Sequence, residues 1–516
     1  MTVVRSAVVI SLLTLVAKAI GIFRQTVFAH TFGAGRDIDI YVAAFRLPDL
    51  ILNLLIMGTL SAAFIPVFVG VLQKDRKKAT EVASTIFNLT LLMMLVFSLA
   101  GYAASPWLVK IIVPGFDAND YARTLELTRI LMIAPVFFGL SAVLTGILQA
   151  NKRFVLAAFS PIFYNLAIIG GVYLLFPKMG LPGLAWGAAI GAATHFLIQL
   201  PAVLRTGLRP LSVFKIGAEV KKIVKLFVPR VLGLDLGQIS MFFTAIIGST
   251  LASGSLAVYS YAYDLQIAPL GLLVVPFAVA AFPTMSEYLN KNDLTGFRNF
   301  FAKSVTQMLY IIIPGSVLML LLRAQIVRLI LGAGQNTQFD FAATRMTAQA
   351  LGFFALSLFA QALTPLLARS FYALHNTIIP VITGVIAAVV NIVLAYLFTR
   401  IAGPETLALA FSIAAVVNMF ILLIILHRKI GGLNDDFLVF RSLKIIVASI
   451  VMAAVVYLTL YSVAPFVDMQ TYAGVLAQTV IACIAAAVSY FVCGLLVSLP
   501  ETKQVFKSLS SWFSQK

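Results

Sequence analysis

The stretch GIFRQTVFAHTFGAGRDIDIYVAAFRLPDL, residues 21–50, decides how this chain is read. Its apolar runs resemble membrane sequence, yet Arg24, Asp39, Arg46 and Asp49 lie inside or beside them. A charge in hydrocarbon costs several kcal/mol unless it faces water, a counter-charge or a ligand. Asp39 and Arg46 stand about two turns apart and would share one face of a continuous helix. Pro48 lacks a backbone donor and is expected to bend that helix beside Arg46.

The rest of the chain is equally apolar. Of its 516 residues, 61% are hydrophobic and only 11% charged, with a mean hydropathy of +1.02. Soluble chains are nearer one-quarter charged. Apolar runs of about 20 residues, long enough to cross a hydrocarbon core, recur from end to end. The fold class is therefore an all-α polytopic membrane protein of about fourteen transmembrane helices. The second, seventh and eighth centre near residues 55, 238 and 272. The opening segment imitates a signal peptide, with Arg5 and Ala17-x-Ala19, but the apolar run continues past Lys18 and reads as an uncleaved first helix.

A net charge of +18 would suggest nucleic acid in a soluble protein. Here the Lys and Arg residues gather in alternate connections, such as QKDRKK (73–78), NKR (151–153) and HRK (427–429). The positive-inside rule then places both termini in the cytoplasm and excludes a nucleic-acid partner. The two cysteines, Cys483 and Cys493, lie on one predicted helix and cannot pair with each other.

The chain also reads as two related halves. RLPDLILNLLIMGTLSAAFIPVFVGVL (46–72) parallels DLQIAPLGLLVVPFAVAAFPTMSEYL (264–289), and GILQANKRFVLAAFSPIFYN (146–165) parallels RSFYALHNTIIPVITGVIAAVVN (369–391). An even number of spans separates each pair, so the halves have the same orientation across the membrane. The expected domains are a six-helix lobe over 1–206, an amphipathic cytoplasmic linker over 207–223, a second lobe over 224–430, and two additional helices with a tail over 431–516. In the sixth span, Gly183, Gly187 and Gly191 form a small-residue stripe suited to close helix packing.

Signatures of chemistry are absent from the sequence. No G-x-x-x-x-G-K-[ST] loop, His-Glu-x-x-His or Gly-x-Ser-x-Gly occurs, and His30, His195, His375 and His427 lack ligand spacing. We expect no enzyme, no metal and no cofactor. The positive signal is buried charge: Lys18 and Arg24 in span one, Asp39 and Arg46 in span two. Arg129, Arg230 and Arg369 lie near span ends and suit ion pairs or snorkelling; Asp235, Asp264 and Arg369 are further cavity or gate candidates. A cationic cavity suits an anionic substrate, because arginine matches phosphate oxygens bidentately.

Segment 21–50, followed by GTLSAAFIPVF (58–68), resembles the MurJ/MviN family of lipid II flippases in the MOP exporter superfamily. ILQANKRF, ASGSLAVYSYAYDLQIAPLGL and LARSFYALHNTIIPV are similar to the family's later motifs. The resemblance implies a V-shaped fold of two six-helix lobes. Spans one, two, seven and eight would line a cavity, and the last two would form a groove for a polyprenyl tail. The implied substrate is lipid II or a related polyprenyl-diphosphate glycolipid, moved across the bacterial inner membrane by alternating access and coupled to membrane potential or an ion. Cell-wall synthesis machinery is an implied partner. Arg24 and Asp39 match family positions, whereas Lys18 stands where many members have arginine. Leu52 and Asn53 occupy the region of a further span-two arginine, Met57 replaces an acidic residue, and Asp264 reverses the charge of a span-eight arginine. Other readings are a flippase for another polyprenyl-linked glycan, a MATE-like drug or cation exporter, and a non-transporting envelope-synthesis scaffold.

Overall fold

The computed structural model describes residues 3–55, 60–208, 213–231, 236–332 and 337–504; the side chains of residues 3–11, 54–55, 60–62, 154, 228–231, 236–239, 272, 273 and 275 are outside the description. Among the described residues the chain is helical throughout, without a strand. It divides into two compact units, Met1–Ala257 and Val258–Lys516.

In the first unit, α1 (Val3–Phe32), α2 (Arg36–Ala44), α3 (Arg46–Leu55) and α4 (Leu60–Leu72) lead into the long α5 (Arg76–Ile112). They are followed by α6 (Ala118–Leu131), α7 (Ala134–Ala150), α8 (Phe154–Gly170), a π-helical turn at Gly171–Leu175, and α9 (Phe176–Met179). Next come α10 (Leu181–Leu197), α11 (Leu200–Leu204), α12 (Ala218–Val231) and α13 (Leu236–Ser249). The boundary between the units falls inside α14 (Ser255–Pro269). The second unit continues with α15 (Val275–Asn290), α16 (Leu294–Leu321), α17 (Arg323–Ile330), α18 (Phe341–Ala355), α19 (Leu358–Ala373), α20 (Ile378–Phe398) and α21 (Thr406–Ile430). It ends with α22 (Asp435–Val463) and α23 (Tyr472–Leu496).

Among the described residues, ten helical segments are long and apolar enough to cross a membrane, and the bent pair α18–α19 makes eleven. The expected spans near residues 55 and 238 include residues 56–59 and 232–235, outside the described residues, and near 272 α14 runs through a π-helical stretch, Leu270–Val274, into α15. In span two the cause of the break at Phe45 is visible. Pro48 cannot donate to the carbonyl of Ala44, so α2 stops at Ala44 and α3 starts at Arg46. The Thr128 hydroxyl lies 3.3 Å from that freed carbonyl, sharing its proton with the Thr124 carbonyl at 2.8 Å. A side chain from a neighbouring helix thus satisfies a group that would otherwise be an unpaired buried acceptor.

Start signals recur at matching places in the two halves. Asp75 accepts from the amides of Lys77 and Lys78 to open α5, and Asp293 accepts from Gly296 to open α16. Asp117 caps α6 through Asp120, and Asp340 caps α18 through Ala343. Each carboxylate satisfies an orphan amide of a first turn. Lys152 and His375, both at positive φ, turn the chain after α7 and α19. Arg76 donates to the Thr206 carbonyl ahead of Gly207 (φ 79°), and Arg298 donates to the Ile430 carbonyl ahead of Gly431 (φ 74°). Both guanidinium groups bind backbone carbonyls left open at a helix or turn end, where a cation is favoured.

The expected linker helix over 207–223 is only partly a helix. Residues 213–217 run without helical structure, and α12 begins at Ala218. Side chains on one face of α5 take the place of intrahelical bonds. The Thr85 hydroxyl accepts from the Lys215 amide at 3.0 Å and lies 3.2 Å from its carbonyl; Asn88 donates to the Val213 carbonyl at 3.1 Å. Lys215 reaches Glu81 at 3.5 Å, and Lys78 reaches Glu219 at 2.5 Å.

The glycine stripe packs α10 against α8 and its π-helical extension. A Cβ at Gly187 would sit 2.9 Å from the Gly171 Cα, and one at Gly183 would sit 2.6 Å from the Leu175 carbonyl carbon. At Gly191 it would meet the Tyr164 ring at 2.8 Å. Only a hydrogen fits at these three places, which is how the backbones approach so closely.

Candidate substrate-binding site

The site is built from the first three helices and α8. Phe28 on α1 meets the edge of Tyr41 on α2, with ring centroids 5.2 Å apart, and Tyr41 in turn meets Phe45 at 4.9 Å. On α8, Tyr164 is set by Gly191 behind it and by Phe138 at 5.1 Å. Arg24 on α1 lies within electrostatic range of both tyrosines, as does Asp49 on α3. One guanidinium, two phenols and a carboxyl therefore converge in this part of the first unit.

The first helices of this unit carry two kinds of cation. Arg36 and Arg123 are neutralised by a cluster of acids: Arg36 reaches Asp120 at 3.1 Å and Asp39 at 3.7 Å, and Arg123 reaches Asp37 at 2.6 Å and Asp120 at 3.8 Å. Arg36 also lies over the Phe116 ring at 4.7 Å. Lys18, Arg24 and Arg46, in contrast, form no ion pair among the described residues. The Nε atoms of Arg24 and Arg46 are buried without any hydrogen-bond partner. Arg46 otherwise contacts the Met241 sulfur at 3.2 Å, a weak acceptor for a guanidinium. A buried guanidinium nitrogen without an acceptor carries a desolvation cost, and both arginines are otherwise half-buried.

Asp39 is placed differently from the expectation that it shares a face with Arg46. The break at Phe45 interrupts the helix between them, and Asp39 turns to backbone amides instead. It is 1% exposed; Oδ2 accepts from the Gly254 amide at 2.7 Å and Oδ1 from the Ala257 amide at 2.9 Å. Asp39 thereby caps the start of α14, where the partial positive charge of a helix N-terminus favours a carboxylate. Gly254 is held at φ +88°, and a Cβ there would lie 2.0 Å from the Ala34 carbonyl oxygen.

The remaining candidates do not join this cluster in the description. Asp264 lies on α14 and is engaged by a neighbouring group. Arg369 is half-buried on α19 beside Tyr372. Leu52 is half-buried on α3 and packs against the apolar core of the first unit. Asp235, Met57 and the Arg230 side chain lie outside the described residues. Sequence reasoning missed Asp37, Asp120 and Arg123, and also Tyr41 and Tyr164. The Asp-Ala-Asn-Asp run at 117–120 was a legible cap signal, but nothing in it pointed to Arg36.

Comparison with solved structures shows the fold. An inward-facing multidrug resistance transporter of the MATE family in the MOP superfamily superposes with a TM-score of 0.68 at 15% identity, covering 82% of this chain and 99% of that one. A lipid II flippase MurJ in an inward closed conformation superposes with a TM-score of 0.77 at 24% identity, covering 94% and 99%. The chain thus has the MOP transporter fold. Residues 28–477 match the family model described as Lipid II flippase MurJ, and the protein belongs to that family. Relatives include the lipid II flippase MurJ of Burkholderia cenocepacia, 26% identical over 83% of this chain and 84% of that one. A probable lipid II flippase MurJ of Rhizobium tropici is 26% identical over 99% and 97%.

Proposed function

We propose that this protein carries lipid II, an undecaprenyl-diphosphate-linked disaccharide-pentapeptide, from the inner to the outer leaflet of the bacterial cytoplasmic membrane. Membership of the family supports the substrate. The observation that carries the site is the contrast between Arg36 and Arg123, which are ion-paired with acids, and Lys18, Arg24 and Arg46, which form no ion pair among the described residues.

A polar head group crosses hydrocarbon only if something replaces its water. The diphosphate would supply the oxygens that Arg24 and Arg46 lack, with Lys18 adding a compact charge and the Tyr41 and Tyr164 hydroxyls adding donors. Asp49 beside the same tyrosines keeps the site from holding its anion too tightly, since release requires a finite affinity. The polyprenyl tail stays in apolar surroundings throughout. Movement is by alternating access without ATP, driven by membrane potential or a coupled ion. The chain acts as a transporter and not as an enzyme, with both termini cytoplasmic and the cell-wall synthesis machinery as its downstream partner.

An exporter of organic cations would need acids to outweigh cations in the site; here Asp39 is held by two amides and Arg36, and Asp49 stands beside Arg24 and Arg46. The deciding experiment is depletion of the protein in a dependent cell, followed by measuring which lipid-linked precursor accumulates on the cytoplasmic face. Accumulated lipid II supports the reading, and accumulation of a different glycan overturns it.

A further inference from the structure

Away from the cation cluster, the first unit has a cavity of about 430 Å³ whose lining includes Tyr102, Leu125, Glu126, Arg129, Ile133 and Trp186. Both charges lie on α6, which with α7 forms one candidate span, Ala118–Ala150. Its 33 residues, about 50 Å of helix, are well beyond a hydrocarbon core of roughly 30 Å. Within it, Ile130–Ala150 is free of charge and is by itself long enough to span. Glu126 and Arg129 therefore lie in the adjoining head-group layer. Tyr102 and Trp186 line the cavity and are exposed at 47% and 37%, and Trp107 nearby on α5 is exposed at 71%. Exposed aromatics of this kind mark the membrane–water interface.

Glu126 is exposed and Arg129 half-buried, and the two do not form an ion pair with each other. Arg129 lies over the Tyr102 ring at 5.1 Å, and its Nε donates to the Ser105 hydroxyl at 3.4 Å. It has no carboxylate at ion-pairing distance among the described residues. Glu126 is exposed and likewise forms no ion pair among them. One helical turn separates the pair, placing their Cβ atoms about 5–6 Å apart. A phosphate followed two carbons later by an ammonium fits that spacing: arginine takes the phosphate oxygens and glutamate the ammonium.

We propose that this pocket binds the head group of an ethanolamine phospholipid, with Arg129 on the phosphate and Glu126 on the amine. A choline head group presents no N–H donor to Glu126, and a glycerol head group presents no cation.

The test uses the full chain in nanodiscs of mixed ethanolamine, choline and glycerol phospholipids, extracted gently, with retained lipid counted by native mass spectrometry. The wild type should retain ethanolamine lipid at least fivefold over its share of the mixture. Glu126→Gln should erase that preference, and Arg129→Met should lose the retained lipid altogether. Equal retention of the three lipids, a preference for the glycerol lipid, or an unchanged preference in Glu126→Gln overturns the proposal. Should Arg129→Met fail to fold, the Glu126→Gln comparison decides alone.

Discussion

The Asp39 carboxylate and the Gly254 amide are joined at 2.7 Å, across more than two hundred residues of sequence. The bond depends on a glycine at both a positive φ and a close backbone approach. Asp39→Asn keeps the size but removes one acceptor and the charge, and should cost about 1–3 kcal/mol. Gly254→Ala should cost more, because its Cβ has nowhere to go and φ is unfavourable. Thermal unfolding of the purified variants checks the order, with Gly254→Ala melting lowest.

Arg24→Ala should leave insertion and melting temperature close to those of the wild type, since no ion pair is broken. Transport should be lost, read as failure to support growth when the variant is the sole copy. Arg24→Lys should restore part of it, because an ammonium supplies charge without the bidentate fork. Normal growth on Arg24→Ala would favour a scaffold over a transporter.

At Lys18 the sign of the charge should matter more than its shape. Lys18→Arg is expected to support growth, and Lys18→Glu is not. If the two behave alike, Lys18 does not meet the substrate.

Gly191→Ala would drive a methyl into Tyr164, at 2.8 Å from its ring and 2.9 Å from its carbonyl oxygen. It should lower both stability and transport, since α10 and α8 separate and Tyr164 leaves its place near Arg24. Gly170→Ala has open space around its Cβ and serves as the control. It should be neutral, or stabilising by about 0.5–1 kcal/mol through helix propensity.

The clasp between Lys78 and Glu219 predicts a pH dependence. The Lys78 ammonium holds the Glu219 carboxyl below the ordinary glutamate value of 4.5. A depressed folded-state value means the contribution is complete above pH 4.5 and disappears as pH falls through the lower value. The melting difference between wild type and Glu219→Gln should therefore be small but constant from neutral pH to about 5, and should vanish in stronger acid. A difference that grows on acidification would contradict the sign.

Spans with strong apolar periodicity were legible in the sequence, as were the glycine stripe and the unusual position of Arg24. The break in span two at Phe45 was less so, since a hydropathy run does not register where a proline leaves a carbonyl open or which side chain will answer it. Asp39 was recognised as important but given the wrong neighbours. Its true partners are backbone amides at Gly254 and Ala257, which every non-proline residue possesses and no motif announces. The ion-pair cluster around Asp120 was hidden for a related reason: its members come from two helices and look like ordinary loop charges.

The arginine bonds Arg76 to Thr206 and Arg298 to Ile430 each fasten the first turns of a long helix to the end of a segment much later in the chain. Their partners are 130 and 132 residues apart, so neither bond can close before the helices between its ends have packed. Each is therefore a reporter of completed packing within its own unit, lost as soon as any of those helices leaves its place.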